Sequence, residues 1–232
     1  YTYEELLVGA LSGRSINLRE QDDSSIYHTK GPEEIAGRLE APARKYDLDT
    51  SSATCVFKVP DFVYKVTSIF RVLKLQRFLI SIRDPYSTIS SLLRKGWFAD
   101  SSLQVGNIMW PNSFSTGIPA PHWVPERYFD EWECMNEADR AALYYITQTE
   151  IPKMTEYSLV FDYDQMNAHP RNLIESVASM LGLEFGQNTE TIVKQVKIQD
   201  TYSKFDLKKV RQDFRELALS VYERSSKLCV RL

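Results

Sequence analysis

Residues 78–93 read FLISIRDPYSTISSLL, and the order of residue types in this stretch decides how the rest of the chain is read. The run 77–82 (RFLISI) is apolar and of strand length, which predicts a short buried strand. Arg83-Asp84-Pro85 follows at once. Asp84 suits a helix N-cap and Pro85 the first helical position, so a helix is predicted from Pro85 to about Lys95. The carboxyl edge of an open parallel sheet is where such folds bind ligands. A helix N-terminus there offers unpaired N–H groups and the positive end of its dipole to an anion. Arg83 adds a planar fork matched to phosphate oxygens. Ser91, eight residues on, lies about two helical turns further along, where its hydroxyl could serve the same anion.

Outward from this stretch, strand and helix patterns alternate. Upstream, residues 53–59 (ATCVFKV), closed by Pro60, predict a buried strand, residues 62–75 a helix, and residues 32–39 a short helix with Pro at its first turn. Downstream, residues 97–125 are rich in Trp, Ser, Asn, Gly and Pro and are expected to form a long surface segment on the substrate side. Residues 126–154 are helical in composition, and residues 158–161 predict a third strand. Residues 170–181 predict a helix with Leu173, Val177 and Leu181 on one face, stopped by Gly182. Leu207, Val210, Phe214, Leu217 and Val221 mark a last amphipathic helix. This alternation predicts an α/β fold layered about a mainly parallel sheet, with residues 1–232 as one domain.

The chain of 232 residues is long enough for a substantial core, and its 43% hydrophobic and 25% charged content is ordinary for a globular protein. A net charge of −3 gives no support to a nucleic-acid partner, so an anionic ligand needs a local basic pocket. The three cysteines (Cys55, Cys134, Cys229) are odd in number and far apart, which argues against a disulfide framework and offers no zinc spacing. With no Asn-x-Ser/Thr sequon, a reducing, cytoplasmic setting is expected. No apolar run approaches the ~20 residues of a membrane helix, so no membrane partner is expected.

A strand running into Arg-Asp-Pro with a serine eight positions after the arginine resembles the 3′-phosphate-binding motif of the sulfotransferases that use 3′-phosphoadenosine 5′-phosphosulfate (PAPS). The resemblance maps that role onto Arg83 and Ser91. Flanking segments agree with the family in order: Val56-Phe57-Lys58-Val59-Pro60 looks like its strand ending in Lys-x-Pro. Tyr163-Asp164-Gln165-Met166 before Pro170 looks like its Tyr-Glu-Asp-Leu segment, and Met180-Leu181-Gly182-Leu183 like its Phe-Leu-Gly-Leu helix ending. The likeness covers roughly residues 55–183 and leans toward the bacterial-type carbohydrate and small-molecule branch rather than the steroid and phenol branch. It implies a three-layer sandwich of the phosphate-loop nucleotide-hydrolase kind, with Tyr163 near the adenine of the cofactor. The implied acceptor is a small molecule or carbohydrate, approached by His122 and Trp123, and the chemistry needs no metal.

A sulfotransferase also needs a strand, a Gly/Ser/Thr-rich turn and a helix to hold the 5′-phosphosulfate and stabilise charge as the S–O bond breaks. Ser12-Gly13-Arg14-Ser15 is the candidate within the chain, yet no strand leads into it, so the loop is expected to lie before Tyr1. Residues 1–6 (YTYEEL) then resemble the segment after that loop, which makes Glu4 and Glu5 the candidate general bases. Lys204, with Lys197 and Ser203, lies where the family places a late cofactor loop. Two other classes compete: a non-catalytic nucleotide-binding or interaction module that keeps the fold, and a phosphate-loop kinase. The kinase would want a Gly-Lys-Ser/Thr loop and an acidic metal ligand, for which Asp162 is the only loose candidate.

Overall fold

The computed structural model describes residues 16–17, 45–46, 63–67, 77–100, 112–113, 120–121, 123–151, 158–195 and 207–229. The chain divides into two compact units, Tyr1–Val59 and Pro60–Leu232. In the first, the described elements are β1 (Ile16–Asn17) and β2 (Lys45–Tyr46), an antiparallel pair with Ile16 opposite Tyr46. The strand expected at 53–59 and the helix expected at 32–39 lie outside the described residues.

The second unit is mixed α/β, mostly helical about a small parallel sheet. Its elements in order are β3 (Phe78–Ile82), α1 (Pro85–Arg94), β4 (Asn112–Ser113), β5 (Ala120–Pro121), α2 (Phe129–Trp132), α3 (Glu137–Thr149), β6 (Ser158–Asp162), α4 (Tyr163–Ala168), α5 (Pro170–Leu181), α6 (Gln187–Gln195) and α7 (Gln212–Ser226). Of the helix expected at 62–75, the described part is a 3-10 turn, Val63–Lys65, running into residues 66–67. The helical composition of 126–154 resolves into two helices because Asn136 interrupts it as an N-cap, its side chain accepting the Asp139 N–H at 2.9 Å.

β3 and β6 pair in parallel, Phe78 beside Ser158 through Ile82 beside Asp162, and Val160 makes a further parallel bridge to Cys229. Side-chain alternation divides the sheet. Ile80, Ile82 and Val160 pack on one face with Tyr222 of α7, while Leu159 and Phe161 pack on the other against Leu173 of α5. Residues 159–162 of β6 are all buried, as expected for a parallel strand covered on both faces. β3 departs from the expectation of a buried strand: Ile80 and Ile82 are buried, but Leu79 is 49% exposed and Ser81 is exposed too.

The main core is helical. α3 contributes Ala138, Ala141, Ala142, Leu143, Tyr145 and Ile146, and its alanines let α1 and α7 come close, meeting Ile89 and Leu92 on one side and Phe214, Ala218 and Val221 on the other. The segment 97–125 is a correction. Rather than lying wholly on the surface, it sends Phe98, Ala120, Trp123 and Val124 into this core, and β4 and β5 pair antiparallel within it. In α5, Leu173, Val177 and Met180 face the sheet, whereas Leu181, expected on that face, is exposed. Met180 follows Leu173 at the i+7 position, and Leu181 falls about 100° further round the helix. Gly182 ends α5 at φ 66°. The Leu183 N–H reaches Ala178 O at 2.8 Å and the Gly182 N–H reaches Ser179 O at 3.1 Å, the paired bonds of a Schellman ending that favours glycine.

Candidate functional site

The parallel register explains the site. Ile82 pairs with Asp162, so the next residues, Arg83 and Tyr163, leave neighbouring strands side by side at the carboxyl edge of the sheet. Arg83 and Tyr163, chosen from separate motifs 80 positions apart, are in contact: the guanidinium carbon lies 5.0 Å from the centroid of the Tyr163 ring. Arg83 Nε donates to Asp164 Oδ1 at 3.3 Å, an ion pair in which the arginine side chain is 16% exposed and the aspartate 42%. Arg83 Nη2 is buried and makes no hydrogen bond among the described residues. Tyr163 therefore has one ring face covered by the guanidinium.

Two tyrosines that the sequence did not single out hold this corner together. Tyr145 of α3 donates its hydroxyl to the Arg83 carbonyl at 2.8 Å, satisfying a carbonyl that falls between strand and helix. Tyr222 of α7 donates to Asp162 Oδ2 at 2.8 Å, while Asp162 Oδ1 accepts the Asp164 N–H at 2.8 Å and so caps α4. Burial pushes the Tyr145 phenol well above its ordinary range, and burial followed by the Asp162 carboxylate does the same to Tyr222. Both remain neutral donors at physiological pH. Burial, with Asp162 nearby, raises the Cys229 thiol to about 11.

The start of α1 corrects one expectation. Pro85 has no N–H, and the Ser87 N–H is taken at 2.9 Å by the chain's own carboxylate, Asp84 Oδ1, while the Thr88 N–H bonds the Asp84 carbonyl at 3.1 Å. The Asp84 cap thus takes up the Ser87 N–H that the sequence alone leaves open to an anion. Ser87, Thr88 and Ser91 follow Asp84 at i+3, i+4 and i+7 on one half-buried face, beside the core-facing Ile89 and Leu92. Thr88 Oγ1 already bonds the Asp84 carbonyl at 2.9 Å.

Trp123, expected to face the acceptor, is 2% exposed. Its ring stands edge-on to Phe98, Trp132 and Tyr144 at centroid distances of 6.0, 5.2 and 5.1 Å, so the structure uses it for packing. His169 sits at the junction of α4 and α5, its N–H bonded to Gln165 O at 2.8 Å and its side chain making no cap bond. Glu4, Glu5, Lys58, His122 and Lys204 lie outside the described residues. Among the described residues no group of three or more His, Cys, Asp or Glu side chains is placed to hold a metal ion. No helix among them is long and apolar enough to cross a membrane. Tyr145 and Tyr222 carried no local signal, since each sits in an amphipathic helix and acquires its partner only through packing. Asp162 carried one, an acid directly after a strand and two residues before another acid, the pattern of a side chain capping its own backbone. Comparison with protein-family profiles, with curated proteins and with solved structures returns no significant match, and any functional reading rests on these residues.

Proposed function

We propose that the chain is the PAPS-binding part of a sulfotransferase, an enzyme that moves a sulfuryl group from PAPS to a hydroxyl or amine acceptor and releases adenosine 3′,5′-bisphosphate. The observation that carries the reading is the Arg83 guanidinium. It ends a parallel strand, rests on Tyr163 and keeps a buried Nη2 with no partner among the described residues. A buried donor left unmade costs about 1–3 kcal/mol, and a phosphate oxygen is the acceptor that a guanidinium fork suits best. In this reading the 3′-phosphate lies between Arg83 and the hydroxyl face of α1 that carries Ser91, with the adenine toward Tyr163. β3 and β6 are then adjacent strands of a three-layer sandwich about a mainly parallel sheet, supported by α5 and α7 on opposite faces.

The nucleotide supplies the activated sulfuryl group. The sequence resemblance makes Glu4 or Glu5 the candidate base for the acceptor proton, Lys204 a candidate cofactor contact and His122 a candidate contact of a small-molecule or carbohydrate acceptor. The free thiols of Cys134 and Cys229 suit a reducing, cytoplasmic setting.

Calorimetric titration of the chain with adenosine 3′,5′-bisphosphate tests the reading. Arg83→Ala is expected to weaken binding by about 10- to 100-fold, the loss of one charge-assisted contact. Equal binding by wild type and variant, or none by the wild type, overturns it. A second reading has its own support: the Arg83–Asp164 ion pair is the contact a purely architectural arginine would make, clamping α4 to the end of β3. In that case Arg83→Ala costs stability and changes no ligand affinity.

A further inference from the structure

We infer that Tyr222 is a positioning residue for the Arg83 site, holding the guanidinium through Asp162 and Asp164; the inference rests on reading Arg83 as the group that meets the ligand. The contacts form a continuous relay. Tyr222 donates to Asp162 Oδ2 at 2.8 Å, Asp162 Oδ1 accepts the Asp164 N–H at 2.8 Å, and Asp164 Oδ1 accepts from Arg83 Nε at 3.3 Å. Each oxygen of the buried Asp162 carboxylate has its own partner, so its orientation is fixed only while both bonds stand. Removing the Tyr222 hydroxyl leaves Oδ2 unpaired in a buried setting, which drives the carboxylate to reorient and loosens the cap on α4. Asp164 is the second residue of α4, and its side chain fixes the Nε edge of Arg83. With Nε held and one guanidinium face on Tyr163, the fork, with its buried Nη2, is held as a preorganised pair of Nη donors rather than a mobile charge. The Tyr222 ring packs beside Ile80, Ile82 and Val160, so phenylalanine preserves the packing and deletes the hydroxyl alone.

The test compares the full chain with Tyr222→Phe, Asp164→Asn, the double variant and Arg83→Ala. Two readouts are used: titration with adenosine 3′,5′-bisphosphate and the hydrogen-exchange rate of the Arg83 Nε–H by nuclear magnetic resonance. Tyr222→Phe is expected to speed Nε–H exchange and to weaken nucleotide binding by about 3- to 10-fold. In the Asp164→Asn background the same substitution is expected to do neither, because the relay is already cut. An unchanged exchange rate in Tyr222→Phe, or a binding loss of equal size in both backgrounds, overturns the inference, since a general loosening of the fold adds independently of Asp164. If Arg83→Ala leaves binding intact, it is the ligand reading that falls, and the exchange rate still decides the role of Tyr222. Should Tyr222→Phe fail to fold, Asp162→Asn is judged by the same two criteria.

Discussion

Around Trp123 the contacts are between aromatic rings. Trp123 meets Phe98, Trp132 and Tyr144 edge to face, Phe98 and Tyr144 lie tilted at 47°, and Phe214 closes on Tyr128 at 5.3 Å between centroids. At the carboxyl ends of β3 and β6, about as many groups meet, but they are charged or hydroxylated, and the arginine among them keeps a buried donor unspent. The first region gains free energy from area removed from water and from dispersion, which any well-fitted apolar set supplies. The second gains little from its ion pair, whose carboxylate is 42% exposed. The two regions therefore differ in what holds them, apolar area in the first and hydrogen bonds with a half-exposed ion pair in the second.

The contrast breaks first at Phe214. The side chain is fully buried where α7 meets α3, and Phe214→Ala is expected to cost about 3–5 kcal/mol as lost transfer energy and an unfilled cavity. Chemical denaturation of the two proteins measures it. A loss under about 1 kcal/mol would mean that α7 is not held by this core.

A sharper comparison sets two arginines against each other. Arg140 is 3% exposed and donates to the carbonyls of Trp132, Phe98 and Glu133 at 3.3, 3.3 and 2.9 Å, as well as to Asp100. Those carbonyls lie in the bends that bring α2 and the end of α1 onto the core, so this arginine is spent on architecture. Arg140→Ala is expected to cost about 1–3 kcal/mol, and Asp164→Ala, which frees Arg83 from its ion pair, no more than about 1 kcal/mol. If the order of the two midpoints is reversed, the corner at Arg83 is architectural and the division between the regions fails.

The part of the fold that was legible is the part fixed by neighbours in sequence. Asp84-Pro85 starts α1, Pro170 and Gly182 bound α5, and the apolar run at 78–82 is a strand, because caps, ring constraints and side-chain alternation act over a few residues. The burial of Trp123 is not legible in its own segment, because a Pro- and Ser-rich neighbourhood describes a loop, whereas that burial depends on Trp132 and Tyr144 arriving from helices further along. α4 was missed since six residues, YDQMNA, carry almost no periodicity, and the cap that starts it belongs to the preceding strand. Arg83 and Tyr163 each stand out within their own segment, and only the parallel register joins them. Tyr222 could not have been marked at all: its partner, Asp162, lies 60 positions away, and nothing in a helix of alternating charge and apolar residues distinguishes a tyrosine that packs from one that also donates.

A further effect comes from the alkaline side and separates the two regions by titration. Cys229 bridges β6 at the sheet, and its thiol is raised to about 11 by burial and by Asp162. A group whose folded value lies above its unfolded one, near 8.5 for a thiol, is protonated longer in the folded state, so its contribution is whole below about pH 8.5 and is lost as pH rises toward 11. Tyr145 and Tyr222 are shifted the same way by burial, but unfolded phenols ionise only near pH 10, so their share of the loss begins later. Denaturation midpoints are therefore expected to fall gently between about pH 8.5 and 10 and more steeply above. Cys229→Ser should flatten the first part and leave the second, while Tyr222→Phe should reduce the second and leave the first. Phe214→Ala, with no titrating group, should lower the whole curve without changing its shape. A Cys229→Ser protein that keeps the slope between pH 8.5 and 10 would move the origin of that loss away from the sheet's edge.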